Sequence, residues 1–289
     1  MVDYIPSEKA MPIRYPSTAN LMVDSDDRND AVYPSPWDFQ ISRNNSILNG
    51  FFTRIGTTEV VLEWCLPNIS QTLGSNIFTI DISGVGGNTH VGTSSVTIPD
   101  GFYTMEDVLD AIVAALNATS GTTGATFTIL NTIGRCRVDV SGAVVRIDNG
   151  DTLLNSNLDA LAPTFTNIFS FGCPDLRPYR FLDFISSQLT YAQDLKDSST
   201  SAIPRDVLCR WYFCEDTQEL YDGYGFPILM GYKQFKRRRI FNPPKQIRWD
   251  SNLPVGNLSF QVVDYLGNVV PYDPLYSSEW LMTLQVSEV

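Results

Sequence analysis

The chain has very little histidine: one residue, His90, in the loop sequence GGNTHVG. A Ser-His-Asp triad would have to use this one imidazole, and no G-x-S-x-G elbow exists to present a nucleophile to it. We read His90 as an exposed loop residue. The five cysteines (Cys65, Cys136, Cys173, Cys209 and Cys214) are odd in number, contain no C-x-x-C pair and fit no zinc spacing. Cys65, Cys136 and Cys209 fall inside apolar strand patterns, as reduced core thiols do, which suits synthesis in a reducing compartment. Gly84-Val85-Gly86-Gly87 is followed by no Walker lysine and no nearby helix, so no phosphate loop is expected. No run approaches the ~20 apolar residues of a membrane span. The first residues, MVDYIPSEKAMPIRYPS, lack the apolar core of a signal peptide, so the sequons at Asn44, Asn68, Asn117 and Asn257 are taken as coincidental. The acidic run from Asp24 to Asp30 lacks the central glycine and the twelfth-position glutamate of a calcium loop, and reads as a solvated charge run. Glu59 and Glu63, four apart in one strand, share a face that we read as solvent-exposed. Carboxylate pairing for glycoside chemistry is a spatial matter that spacing does not decide. No enzyme, metal or cofactor is expected.

What is present is the composition of a β protein. Sixteen Phe, thirteen Tyr and five Trp accompany seventeen Pro and nineteen Gly in 289 residues, 43% of them hydrophobic. Alternation predicts strands at Trp37 to Ser42, Thr58 to Leu66 and Asn76 to Ser83. A small meander is predicted over Ala125 to Leu130, Cys136 to Val140 and Ala143 to Ile147. Asp206 to Cys214 carries heavy side chains on both faces and reads as a central strand. A hairpin-like unit closes the sequence, from Leu258 through a turn at Tyr265-Leu266-Gly267-Asn268 to a last strand at Trp280 to Val286. About ten strands, no βαβ rhythm and no fixed-period repeat predict a mainly β antiparallel sandwich or jelly roll.

One helix stands out. In SSVTIPDGFYTMEDVLDAIVAALN (residues 94–117), Pro99-Asp100-Gly101 supplies turn chemistry. Thr104 and Asp107 form a variant capping box. Val108, Leu109, Ile112 and Leu116 belong to an apolar stripe at helical spacing. Residues 1–35 read as an arm that orders on a neighbouring surface, broken by four prolines and anchored by Tyr4, Ile13, Tyr15 and Leu21. The remainder, 36–289, reads as one domain with a loop insertion around 148–187.

The net charge is −12, so the surface as a whole repels nucleic acid. Against this background seven of the twenty basic residues lie in one segment: Lys233, Lys236, Arg237, Arg238, Arg239, Lys245 and Arg248. Subunit contact, protection of a sheet edge and nucleic-acid contact are its three readings, weighed in that order.

Several of these stretches resemble a known family. VTIPDGFYTMEDV matches an I-x-I-P-x-G-x-Y-T-φ-x-x-φ segment (φ, apolar) at Val96, Ile98, Pro99, Gly101, Tyr103, Thr104, Met105 and Val108. The terminus LSFQVVDYLGNVVPYD…SEWLMTLQV matches a second pattern at Asp264, Gly267, Val269, Val270, Leu281, Thr283, Leu284 and Val286. The sequence thereby resembles penton (vertex) and minor capsid proteins of virophages, polinton-like viruses and related double-stranded DNA viruses. The resemblance implies a single eight-stranded jelly roll without catalysis, five copies around a fivefold axis of an icosahedral capsid, and contact with surrounding major capsid proteins. It implies residence in the virion after synthesis in the host cytoplasm or nucleus. A minor capsid or cement protein, or a jelly-roll module that binds a receptor or carbohydrate, are the alternatives. Placing a charge at Ile112 is expected to impair folding or assembly; pentamers forming normally from that variant would show that the stripe is not buried.

Overall fold

The computed structural model describes residues 18–42, 54–84, 92–104, 106–108, 110–111, 114, 126–130, 135–139, 143–147, 158–159, 167–170, 176–191, 197–198, 204–213, 231–248 and 256–287. Eight strands build its principal body. They are β1 (Thr18–Asp24), β2 (Asp38–Ser42), β3 (Arg54–Trp64), β4 (Phe181–Ile185), β5 (Val207–Tyr212), β6 (Phe235–Ile240), β7 (Asn257–Val263) and β8 (Glu279–Ser287). One antiparallel sheet has the order β1-β8-β3-β6, and the other β5-β4-β7-β2. A short strand, Gln246–Arg248, extends the first sheet by pairing with the start of β3.

This order is that of one long hairpin folded over on itself. First pairs with last (β1 with β8), second with seventh, third with sixth and fourth with fifth. Two further ladders, β8 with β3 and β4 with β7, close the wrap. Two four-stranded sheets connected in this way are a jelly roll.

Strand alternation puts the core between the sheets. On β8, Trp280, Met282, Leu284 and Val286 are buried, alternating with half-buried Glu279, Leu281, Thr283, Gln285 and Ser287. On β3, Val60, Leu62 and Trp64 face the same way. The second sheet supplies Phe39, Leu182, Phe184, Leu208, Trp211, Leu258, Phe260 and Val262. Trp280 is the hub: its ring lies 5.5 Å from Phe39, 5.2 Å from Phe184 and 6.0 Å from Phe260. Its indole nitrogen donates to the Pro36 carbonyl at 2.8 Å, and its backbone N–H donates to the Ser25 hydroxyl at 2.8 Å. Each indole and amide hydrogen therefore keeps a partner despite full burial.

Several expectations need correction. Thr18–Asp24, inside the stretch read as an arm, is the first strand of the roll. It pairs along its whole length with β8, and Val23 and Leu21 reach the core while Met22 stays 63% exposed. The prolines of this stretch flank the strand and do not interrupt it. Tyr4, Ile13 and Tyr15 lie outside the described residues. The excursion from the roll is also larger than the loop placed at 148–187: it leaves after Trp64 and returns before Phe181, and Phe181–Ile185 is an interior strand. Within the excursion, Ile77–Gly84 pairs with both Gly92–Thr97 and Ala143–Ile147. A separate sheet joins Thr126–Leu130, Arg135–Asp139, Asn167–Ser170 and Leu158–Asp159. The expected meander is thus split, because its third strand pairs with an earlier partner. The closing hairpin is likewise reduced to one bridge, Val263 with Val269. Its turn is as expected, with Gly267 at φ 96° and the Asp264 carboxylate accepting from the Leu266 and Asn268 amides, but β7 and β8 then belong to different sheets. Finally, β5 is an edge strand. It reads as central because its outward face is also covered, by an ion pair described below.

The strand–turn–helix holds a second, local set of contacts. Thr104 and Asp107 cap one another: the Thr104 amide and hydroxyl donate to Asp107 Oδ2 at 2.8 and 2.7 Å, and the Asp107 amide donates to Thr104 Oγ1 at 3.3 Å. Residues 106–108 are helical and Val108 is buried; Leu109, Ile112 and Leu116 lie outside the described residues. Asn68, fully buried, donates to the Tyr103 carbonyl and accepts from its amide, both at 2.9 Å. Its side chain is thereby committed to the fold. Trp280→Ala is expected to lower the unfolding free energy by about 3–5 kcal/mol, measured as the shift of a urea denaturation curve. Thr104→Ala is expected to cost only about 1 kcal/mol.

Candidate functional site

The basic segment builds β6, an edge of the first sheet among the described residues. Its residues alternate between two surroundings. Lys236 and Arg238 lie on the outer face, where acids of β3 await them. Lys236 Nζ sits 2.6 Å from Glu63 Oε2, and Arg238 makes a two-point contact with Glu59 at 2.6 and 2.7 Å. The hydrogen bond from Arg238 holds the Glu59 carboxyl below the usual carboxylate range, and that to Glu63 raises the Lys236 ammonium above its own. Both pairs are exposed, so each contributes little to stability. What they do is neutralise Glu59 and Glu63, the two acids whose shared face was expected to be bare.

The other β6 residues face the flank of the sandwich. Phe235 meets the Phe213 ring edge-on at 5.8 Å. Arg239 lies over Tyr212 and Phe241, with its guanidinium carbon 5.6 and 5.0 Å from the two ring centres. Arg237, between them, is exposed. Lys245 turns inward and donates to the Val207 carbonyl at 2.6 Å. Lys233 and Arg248 are exposed. The segment therefore divides. Two cations are spent on β3, two are drawn against the β5 flank, and Lys233, Arg237 and Arg248 face outward.

Between β5 and β6 the sandwich opens into a cleft of about 310 Å³, whose lining includes Cys209, Arg210, Tyr212, Arg239, Phe241 and Lys245. Arg210 is fixed there by a two-point ion pair with Asp183 of β4, at 2.6 and 2.9 Å, and lies 4.0 Å over the Phe181 ring. Asp183 is fully buried. A buried carboxylate is tolerated only when paired and hydrogen-bonded, and Arg210 does both. Sequence reading did not single out this pair, because the residues are 27 apart and meet only across the β4–β5 ladder. Cys209, buried beside it, has its thiol pushed up to about 12 by burial. A neutral, enclosed thiol is a poor nucleophile. Cys65 is half-buried and accepts from the Gln234 amide at 3.1 Å. Among the described residues, no three His, Cys, Asp or Glu side chains converge as metal ligands. No described helix is long and apolar enough to cross a membrane.

In the native protein at pH 8, Cys209 is expected to stay unmodified by iodoacetamide and to react only after denaturation. Peptide mapping of the alkylated sites checks this.

The sequence matches no protein-family model and no curated protein. Solved structures do match. The crystal structure of the mavirus penton protein superposes with a TM-score of 0.52 at 14% identity, over 96% of this chain and all of the other. A chain of the Sputnik virophage structure, determined by cryo-electron microscopy, aligns with a TM-score of 0.46 at 9% identity, over 94% of this chain and 97% of that one. Over nearly its whole length, the chain shares its jelly-roll fold with the mavirus penton protein.

Proposed function

We propose that this chain is a structural capsid protein, the penton protein that occupies the fivefold vertices of an icosahedral virion as a homopentamer and contacts the surrounding major capsid proteins. The observation that carries the reading is the roll order, β1-β8-β3-β6 against β5-β4-β7-β2, in a chain alignable end to end with the mavirus penton protein. The motifs around Val96 to Val108 and Asp264 to Val286 support it independently, since they resemble vertex and minor capsid proteins at the level of residues. The side-chain inventory agrees. Three polar groups inside the roll are engaged by structure: Asp183 by Arg210, Ser25 by Trp280, and Asp264 by its own turn. Among the described residues, Lys233 and Arg237 remain exposed at the β6 edge, where charge suits contact between macromolecules. In this reading the protein carries out no catalysis.

Purified protein is expected to give particles of five chains in native mass spectrometry and fivefold rings in negative-stain images. A stable monomer retained specifically on a glycan surface would overturn the reading in favour of a carbohydrate-binding module.

A further inference from the structure

Among the described residues, the two edges of the first sheet match one another, row by row. Ladder registers define rows that cross all four strands. In one, Lys236 lies opposite Glu63 and Glu63 opposite Glu279. The row ends beside the turn Ser25–Asp27, because Asp24 is opposite Leu281 and the Ser25 hydroxyl caps the Trp280 amide. In a second row, Ile240 lies opposite Glu59, Glu59 opposite Thr283, and Thr283 opposite Met22. The first row therefore has a basic corner at the β6 edge, Lys233 with Lys236, and an acidic corner at the β1 edge, Asp26 with Asp27. The second row has an aliphatic side chain at each end. Ile240 and Met22 are each 63% exposed, an unusual state for large apolar residues on edges that otherwise carry charge. Asp26, Asp27, Lys233 and Lys236 are all exposed.

Direction agrees as well. Successive antiparallel ladders leave β1 and β3 running one way and β6 and β8 the other. Translating a copy sideways by the width of the sheet sets its β1 antiparallel to the first copy's β6. That placement brings both matched pairs into register at once, acid to base and Met22 to Ile240. Isologous contact would instead set β6 against β6, base against base. Complementary patches on opposite sides of one subunit are what a head-to-tail contact requires, and such contacts close into rings when the rotation per step allows.

We infer that the β6 edge of one copy binds the β1 edge of the next, with Lys233 and Lys236 against Asp26 and Asp27, and Ile240 against Met22. This rests on the self-assembly proposed above and names the surfaces that would carry it.

Two variant sets test it. A chain carrying both Met22→Cys and Ile240→Cys is expected, under mild oxidation, to give a ladder of linked species beyond the dimer on non-reducing gels. Each single variant, and the unaltered chain with its own cysteines, is expected to give none. In parallel, Lys233→Glu with Lys236→Glu should weaken assembly roughly tenfold or more at low salt, the scale of about 1.4 kcal/mol. Asp26→Lys with Asp27→Lys should do the same, while all four changes in one chain should restore assembly to within about threefold of the unaltered protein, as a swapped charge pair does. Circular dichroism melts identical to the parent confirm that each variant folds. Pentamers that assemble normally with either charge set reversed, and no ladder from the double-cysteine chain, overturn this edge contact while leaving the capsid reading intact. Dimers alone from either single-cysteine variant overturn it in favour of an isologous contact. A parent chain that stays monomeric at every concentration overturns both.

Discussion

The roll depends on where β8 is placed. The strand nearest the C-terminal end of the sequence lies between β1 and β3, bonded to both along its length. It alone gives the first sheet a continuous middle, and its buried face supplies Trp280 to the centre of the aromatic core. Without it, β1 would lose its described ladder and β3 would keep only β6 and the short strand Gln246–Arg248. The aromatic contacts between the sheets, Trp280 on Phe39, Phe184 and Phe260, then fix how the two layers face each other. Aromatic pairs at these separations add to area burial through their preferred tilts. Cooperation between the ladders and this core defines the eight-stranded body; the basic edge, the cleft and the excursion are arranged around it.

The outer face of the first sheet shows how an acidic protein presents a basic surface. Glu59 and Glu63 sit on β3, one strand in from the edge, and each takes a cation from β6. The pairing holds Lys236 and Arg238 against the sheet and leaves Lys233 and Arg237 to face the surroundings. Charge in the sequence was therefore a poor measure of charge on the surface. Seven basic residues in one segment read as a single patch, yet the fold assigns them to three environments: the β3 acids, the β5 flank and the solvent. The spacing in FKRRRI contained part of this, since strand alternation already separates Lys236 and Arg238 from Arg237 and Arg239. The identity of the facing acids did not follow from spacing, because Glu59 lies 179 residues from Arg238.

The same distinction explains what was legible elsewhere. Strand existence was readable because period-two alternation is a local property: NIFTIDIS, CRVDV, LSFQVVD and WLMTLQV each appear as strands within a residue or two of the expected bounds. The Thr104–Asp107 cap was readable for the same reason. Strand partnership was not. The meander and the closing hairpin were both drawn by joining neighbours in sequence, and in both the chain pairs with a distant strand instead. β1 was missed because Thr18 to Asp24 is flanked by prolines and has only two apolar anchors on its core face. Its stability as a strand comes from β8, some 260 residues later. Pairs such as Asp183 with Arg210 belong to this second class too, being products of register.

The excursion between β3 and β4 leaves the roll at Trp64 and rejoins it at Tyr179, and those two rings meet edge-on at 5.9 Å. Its two stems are thus clasped together inside the core. The entropy cost of holding these stems together rises only with the logarithm of the chain length between them. Parts of the passage nevertheless pack back on the roll: Leu66 lies in the core, Leu73 and Phe102 pack against it, and the Thr72 hydroxyl donates to the Asp273 carboxylate at 2.6 Å. The length of the remainder can therefore change at little entropic cost while these contacts, the core aromatics and the ladders stay as they are.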